Sequence, residues 1–264
     1  MPELPEMENY RLLLNERIAG QKVTGVEVTR EKTINVPVQS FLKEVNGTII
    51  EHIDRRAKHL IFKLSNGKRL VLHLMLGGVL FLGNGENDPD RTRQVTLTIG
   101  KIELFFIGLR LGYLHLVTQE EMEEQFKDLG PEPLQITIDA FNELIKKRKG
   151  MLKTTLVNQK FISGIGNLYS DEICYEARLL PERKMNELST QEVLDLFQSI
   201  QHVLRRGISQ GGYMDPLFNG DAQTGNYHAF VYDREGEACS RCQTHIVREE
   251  ISSRKCFYCP NCQK

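Results

Sequence analysis

Five of the six cysteines fall in the last 26 residues, as Cys239, Cys242, Cys256, Cys259 and Cys262. "CSRC" and "CPNC" read as C-x2-C, sixteen residues, C-x2-C. Two tight turns at that spacing present four thiolates to one tetrahedral zinc ion. "CFYC" makes Cys256 and Cys259 a competing pair. Pro260 and Asn261 suit a tight turn, whereas Phe257 and Tyr258 read as strand. The expected ligands are therefore Cys239, Cys242, Cys259 and Cys262, with Cys256 and Cys174 as small buried or partly buried thiols. The other end of the chain offers a different chemistry. "MPELPEMENYRLLL" places a proline second, with Glu3 and Glu6 around it. Proline and acids suit the first turn of a helix on ordinary grounds. A small second residue also lets the initiator methionine be trimmed, leaving Pro2 as a secondary amine. Such an amine titrates at about 7.7–8 and can attack a sugar or aldehyde carbon to form a Schiff base. The residue types alone leave both readings open.

These groups need elements to hold them. Apolar residues at Met7, Tyr10, Leu13, Leu14 and Ile18 have amphipathic-helix spacing. Short alternating stretches follow from "KVTGVEVTR" to "IELFFIG", punctuated by Asn-Gly pairs at 46–47, 66–67 and 84–85, each a hairpin signal. Six or more such strands predict an antiparallel sandwich or barrel against which the first helix packs. From "TQEEMEEQF" onward the pattern turns helical, with periodic stretches at 137–148, 152–158, 169–177 and 190–208. "LGPEPL" reads as an elbow and "SQGGYMDPLFNGDAQTG" as a long loop. "NYHAFVYD" and "RKCFYC" read as strands around the zinc turns. The expected division is a domain over 1–128, a linker over 129–135 and a domain over 136–264, its zinc finger at about 227–264.

Hydrophobic residues at 40% and charged residues at 26% are those of a soluble globular protein. No run of 18 apolar residues is present, and acids stand where a secretory signal needs bases. The expected compartment is the cytosol, where thiols stay reduced and zinc is the better reading of the cysteines. With 34 Lys and Arg against 35 Asp and Glu, the net charge is −1. A polyanion can then be bound only if bases gather on one face.

One stretch suggests how. In "FISGIGNLYSDEICYEARLLP", Gly164 and Gly166 permit a tight turn and a helix begins near Asn167. A helix start of that kind binds phosphate through backbone N–H groups; the plainer alternative is a corner where glycines permit close packing.

Together these motifs resemble the formamidopyrimidine-DNA glycosylase and endonuclease VIII family. "MPELPEMEN" resembles its N-terminal signature, with Leu4 favouring the former branch, and "RRAKHL" its lysine-bearing turn. "LGPEPL" resembles the interdomain segment, "GIGNLYSDE" the helix-two-turn-helix element, and "VYDREGEACSRC…SSRKCFYCPNCQ" the zinc finger. The implied fold is α+β: an N-terminal helix and antiparallel β-sandwich, then a helical helix-two-turn-helix domain with a β-hairpin zinc finger. The implied protein is a monomeric enzyme of base excision repair, associated with the nucleoid when bound. It excises oxidised purines from double-stranded DNA and cuts the abasic strand by β,δ-elimination.

By the same resemblance, Pro2 attacks C1′ and Glu3 moves protons to and from the deoxyribose. Glu6, one helical turn on, orients the amine, and Lys58 holds a phosphate beside the lesion. Asn167 and Arg254 clamp the phosphates flanking the extruded nucleotide, with Gly164 and Gly166 shaping the turn. Arg110 enters the duplex, and His73, Met75 and Leu76 of "HLMLGG" lie on the same DNA-facing side. Departures are visible too. Leu111 and Gly112 follow Arg110 where the family has lysine, phenylalanine and glycine. Leu76 takes the place of a methionine wedge, and "YMDPLF" replaces the lesion-reading run after Gly211 and Gly212. These motivate a second expectation, a paralogue with weak base excision that acts on or binds abasic sites. A zinc-ribbon DNA-binding module without catalysis is the third, and it leaves Pro2, Glu3 and Lys58 without a purpose.

Overall fold

The structure, a computed structural model, describes residues 1–86 and 88–264. The chain forms two compact units, Met1–Lys127 with Gln210–Asn226, and Asp128–Ser209 with Tyr227–Lys264. This departs from the contiguous division expected above. The long loop after position 209 returns to the first unit, and the elbow belongs to the second.

In the first unit, helix α1 (Leu4–Ile18) opens on Glu3, whose N–H donates to Glu6 Oε2 at 2.8 Å within a capping box. Met7, Tyr10, Leu13, Leu14 and Ile18 are all buried, the face their spacing predicts. Strand β1 (Val23–Val28) and helix α2 (Val38–Val45) follow, then β2 (Ile50–Arg56), β3 (His59–Leu64), β4 (Arg69–His73), β5 (Val79–Gly83), β6 (Arg93–Ile99), β7 (Ile102–Ile107) and β8 (Tyr113–Val117). They make two antiparallel four-stranded sheets, ordered β1-β6-β7-β5 and β2-β3-β4-β8. Leu60, Phe62, Leu70 and Leu72 of one sheet and Val95, Leu97, Leu104 and Phe106 of the other share one core with α1. Each such side chain contributes about 1.5–3 kcal/mol on burial. Helix α3 (Gln119–Phe126) closes this part of the chain behind a second capping box, Thr118 with Glu121.

Only one of the three Asn-Gly pairs is a hairpin. Gly67, at φ +82°, turns β3 into β4. Gly47 and Gly85 also have positive φ. However, the first links α2 to β2, and the second follows β5, which pairs with β7 rather than β6. The dipeptide encodes the left-handed turn, and whether the next strand pairs with the last is decided by sheet order.

The second unit holds α4 (Ile138–Lys146), α5 (Leu152–Leu156), α6 (Asn167–Glu176), α7 (Thr190–Ser209) and the hairpin β9 (Val247–Ile251) with β10 (Arg254–Tyr258). The "LGPEPL" elbow is pinned rather than free. Gly130 N–H donates to Gln159 O at 2.8 Å, and Ser163 N–H to Pro131 O at 3.1 Å. The expected strand at 226–233 is absent. Its N–H groups at Phe230, Val231 and Tyr232 donate to the buried Glu172 carboxylate at 2.8–3.1 Å, which removes them from any ladder. The real partner of β10 is β9, seventeen residues nearer the end of the chain than Phe230.

Candidate functional site

Four of the expected residues meet at the head of α1. Pro2, Glu3 and Glu6 are buried, the two acids at 2% and 1% exposure. Lys58 comes from the β2–β3 turn, a two-residue hairpin loop with Ala57 at φ +53°. A left-handed alanine costs roughly 1–2 kcal/mol, and strain of this kind clusters at functional sites. Lys58 is 5% exposed. Burial lowers its pKa, and the charges of Glu3 and Glu6 oppose that fall. The terminal ammonium, here on Met1, is likewise lowered by burial, with Glu3 and Glu6 opposing and Lys58 assisting. Two amine groups and two carboxylates thus share one partly dry pocket, in which burial shifts both amines toward the neutral form and the carboxylates oppose that shift.

The 210–226 segment, in the same unit, completes this wall. Tyr213 N–H donates to Glu6 Oε1 at 3.3 Å, and a Cβ on Gly212 would fall 2.5 Å from that oxygen. Asn9 Nδ2 donates to Thr224 Oγ1 at 2.8 Å, while Asp221 accepts from the Leu217, Gln223 and Thr224 N–H groups. Neither Asn9 nor Tyr213 was expected. Asn9 is one more polar residue in a helix, and only the tertiary path of the loop gives it a task.

His73, Met75, Leu76 and Arg110 stand at one end of the β2-β3-β4-β8 sheet. His73 pairs with Tyr113 across β4 and β8, so the turns after one and before the other emerge together. Glycines lock them. A Cβ on Gly108 would lie 2.3 Å from Gly77 O, and one on Gly112 would lie 2.5 Å from His73 O. Leu76 and Leu111 tip the two turns at 66% and 65% exposure, and Arg110 is exposed beside them. Met75 is half-buried at φ +51° and gives its N–H to His73 Nδ1 at 3.1 Å. The exposed apolar tips are therefore two leucines.

Asn167 and Arg254 both lie in the second unit. Gly166 is the N-cap of α6, and Gly164 turns the chain at φ +92°. The Gly164 N–H donates to Gln159 Oε1 at 2.9 Å within that turn. Asn167 Nδ2 donates one N–H to Lys255 O at 3.1 Å, which ties the helix start to the strand that carries Arg254. Arg254 follows a two-residue turn, Ser252 and Ser253, with φ of 50° and 61°, and its guanidinium is exposed.

The four cysteines meet as the spacing required. Sγ atoms of Cys239, Cys242, Cys259 and Cys262 all lie within 4.8 Å of one another, with Cys242 and Cys259 at 3.5 Å and Cys239 and Cys262 at 3.9 Å. Thiolates about 2.3 Å from a tetrahedral zinc stand about 3.8 Å apart, so this donor set fits one structural zinc. Backbone N–H groups of Arg241 and Cys262 point at Cys239 and Cys259 sulfurs, both at 3.4 Å, and such bonds orient the sulfurs and stabilise them as thiolates. Cys256 faces away and donates to Asp171 Oδ1 at 3.2 Å.

Comparison with known proteins agrees at each level. The formamidopyrimidine-DNA glycosylase N-terminal domain matches residues 1–113, its H2TH domain residues 129–216, and the zinc finger found in FPG and IleRS residues 236–264. A formamidopyrimidine-DNA glycosylase from Pelotomaculum thermopropionicum is 36% identical over all of this chain and 99% of its own. The Lactococcus lactis FPG, as a mutant crystallised with Fapy-dG-containing DNA, superposes with a TM-score of 0.92 at 31% identity, over 100% of both chains. MutM in complex with DNA containing carbocyclic 8-oxo-G gives 0.91 at 31% identity, again over 100% of both chains. Three domain matches in order and full-length relatives above 30% identity leave one conclusion: the chain belongs to the formamidopyrimidine-DNA glycosylase family.

Proposed function

We propose that this protein is a bifunctional DNA glycosylase and abasic-site lyase of base excision repair, acting on oxidised purines in double-stranded DNA with Pro2 as nucleophile. The observation that carries this reading is the pocket at the head of α1, where Glu3, Glu6 and Lys58 surround the amino terminus. The relatives' DNA complexes with Fapy-dG, 8-oxo-G and abasic sites support the substrate class.

Once Met1 is removed, the Pro2 nitrogen uses its lone pair to bond C1′, and the base departs with the electrons of its bond. Glu3 takes the proton that the nitrogen sheds. Glu6 holds the first turn in place through Glu3 N–H, which fixes the direction of the amine. The adduct becomes an iminium when the nitrogen lone pair forms C1′=N and the C1′–O4′ pair leaves to O4′, which takes up a proton. Loss of H2′ then gives elimination at the 3′ phosphate, and a second elimination the 5′ one. The first unit supplies this chemistry. The second grips the backbone through Asn167 and Arg254, with zinc bracing the segment that carries the arginine, and the protein works as a monomer.

The test is borohydride reduction during turnover on 8-oxoguanine duplex and on abasic duplex. Wild-type protein should become linked to DNA through Pro2, and Pro2→Gly should lose most of that product while folding normally. Equal trapping by the variant would refute the nucleophile. The leucine tips and the "YMDPLF" segment favour a second reading, in which base excision is weak. Trapping on abasic duplex without release of 8-oxoguanine would select it.

A further inference from the structure

Met1 is itself informative about the active site. Its carbonyl carbon is bonded to the Pro2 nitrogen and carries an oxygen. In the covalent adduct with DNA, C1′ is bonded to the same nitrogen and carries the ring oxygen O4′. The Met1 carbonyl therefore stands in for C1′–O4′, and whatever hydrogen-bonds to Met1 O is placed to bond to the sugar ring oxygen. That group is the Tyr213 hydroxyl, which donates to Met1 O at 3.2 Å and lies 3.4 Å from the Met1 ammonium.

Tyr213 is not there by the chance of a loose loop. Its N–H is held by Glu6 Oε1, and Gly212 beside it packs so closely on the Glu6 carboxylate that any side chain would collide. Asp221, Thr224 and Asn9 fasten the rest of the segment to α1. The same carboxylate that steadies the nucleophile's turn thus positions the tyrosine.

We propose that the Tyr213 hydroxyl is the general acid that opens the deoxyribose ring, an inference that rests on the Pro2 mechanism above. In the ring-closed adduct the Pro2 nitrogen is a tertiary amine. Its lone pair forms the C1′=N bond as the C1′–O4′ bond breaks. The departing pair goes to O4′, which takes the proton of Tyr213, and the phenolate recovers a proton from water. Charge balances: a neutral amine and a neutral phenol become an iminium and a phenolate.

The ring-closed adduct has already lost its base but is not reducible by borohydride, so the two steps can be read separately. With Tyr213→Phe in single turnover on 8-oxoguanine duplex, base release should proceed near the wild-type rate. Trapping should slow by about 100-fold, the scale of one general acid. On abasic duplex, where the sugar is mainly the closed hemiacetal, trapping should slow similarly. Affinity for a tetrahydrofuran-containing duplex should stay within about threefold, as expected when only the acid is removed. Undiminished trapping overturns the proposal, and so does an equal loss of trapping and tetrahydrofuran affinity, which marks a packing role. Wild-type protein that neither releases base nor traps on abasic DNA overturns the Pro2 mechanism itself, and this proposal with it.

Discussion

Lys153 Nζ lies 2.6 Å from Asp171 Oδ1, with both side chains wholly excluded from solvent. The ammonium also donates to Ser170 Oγ and to Asn167 O, while the second Asp171 oxygen accepts Phe257 N–H at 3.1 Å. One buried ion pair therefore joins α5, the start of α6 and the strand β10. Removing one partner of such a pair costs about 3–5 kcal/mol, because the other charge stays buried and unpaired. Lys153→Met should lose that much stability in urea unfolding, and Asp171→Asn added to it should restore part of the loss. A single-variant cost below about 1 kcal/mol would mean that the pair is hydrated.

Zinc content decides between the cysteine pairs with two variants. Cys256→Ser should keep one zinc per chain, since its sulfur faces Asp171, and Cys262→Ser should lose it. The reverse outcome would assign the metal to "CFYC". DNA affinity should fall with the metal, because Arg254 lies on the β9–β10 hairpin between the two ligand pairs that the ion holds together.

Much of this was legible in the sequence, and the limits have physical causes. The four ligands, α1 and the order of helices followed from local spacing. The Glu172 carboxylate that keeps 230–232 out of a strand, and the return of 210–226 to the first unit, depend on contacts far apart in sequence. Lys153 in "MLKTTL" and Asp171 in "YSDEI" stand beside other polar residues and carry no local mark, because their pairing is tertiary. Tyr213 left no signal beyond standing in a segment that departs from the family.

Acid should destabilise the first unit through two histidines. Burial, with the charge of His73 next, pushes the His59 pKa down to about 3, and burial with Lys58 pushes His73 down to about 4. His59 is held by Tyr113 OH at 3.0 Å and lies 4.5 Å from His73, centroid to centroid. Both are neutral when folded but bind protons near pH 6.5 when unfolded. Their contribution is complete above pH 6.5 and is lost as pH falls toward 4 and 3. Each adds up to about 1.4 kcal/mol per pH unit to the slope in that window. Urea unfolding at pH 7, 6 and 5 should show the decline, and His73→Gln should make it shallower. A flat profile over that range would mean that the rings are hydrated enough to titrate normally.

A protein of net charge −1 must hold DNA with few, well-placed cations, and salt dependence counts them. Each phosphate neutralised adds about −0.9 to the slope of log K against log salt. Lys58 and Arg254 with two further contacts would give roughly −3 to −4. Arg254 is exposed at the head of β10, and among the described residues only Ser252 O, at 3.3 Å, draws on its guanidinium, so its charge is available to a phosphate. Asn167 is a neutral amide with one N–H already committed to Lys255 O; it can bond a phosphate without displacing a counterion. Arg254→Ala should therefore weaken binding to abasic-site duplex and reduce the slope by about 1. Asn167→Ala should weaken binding at nearly constant slope, although it also releases the tie to β10. Titrations at four salt concentrations separate the two. A wild-type slope near zero, or an Arg254→Ala variant with unchanged affinity, would place the phosphate clamp elsewhere.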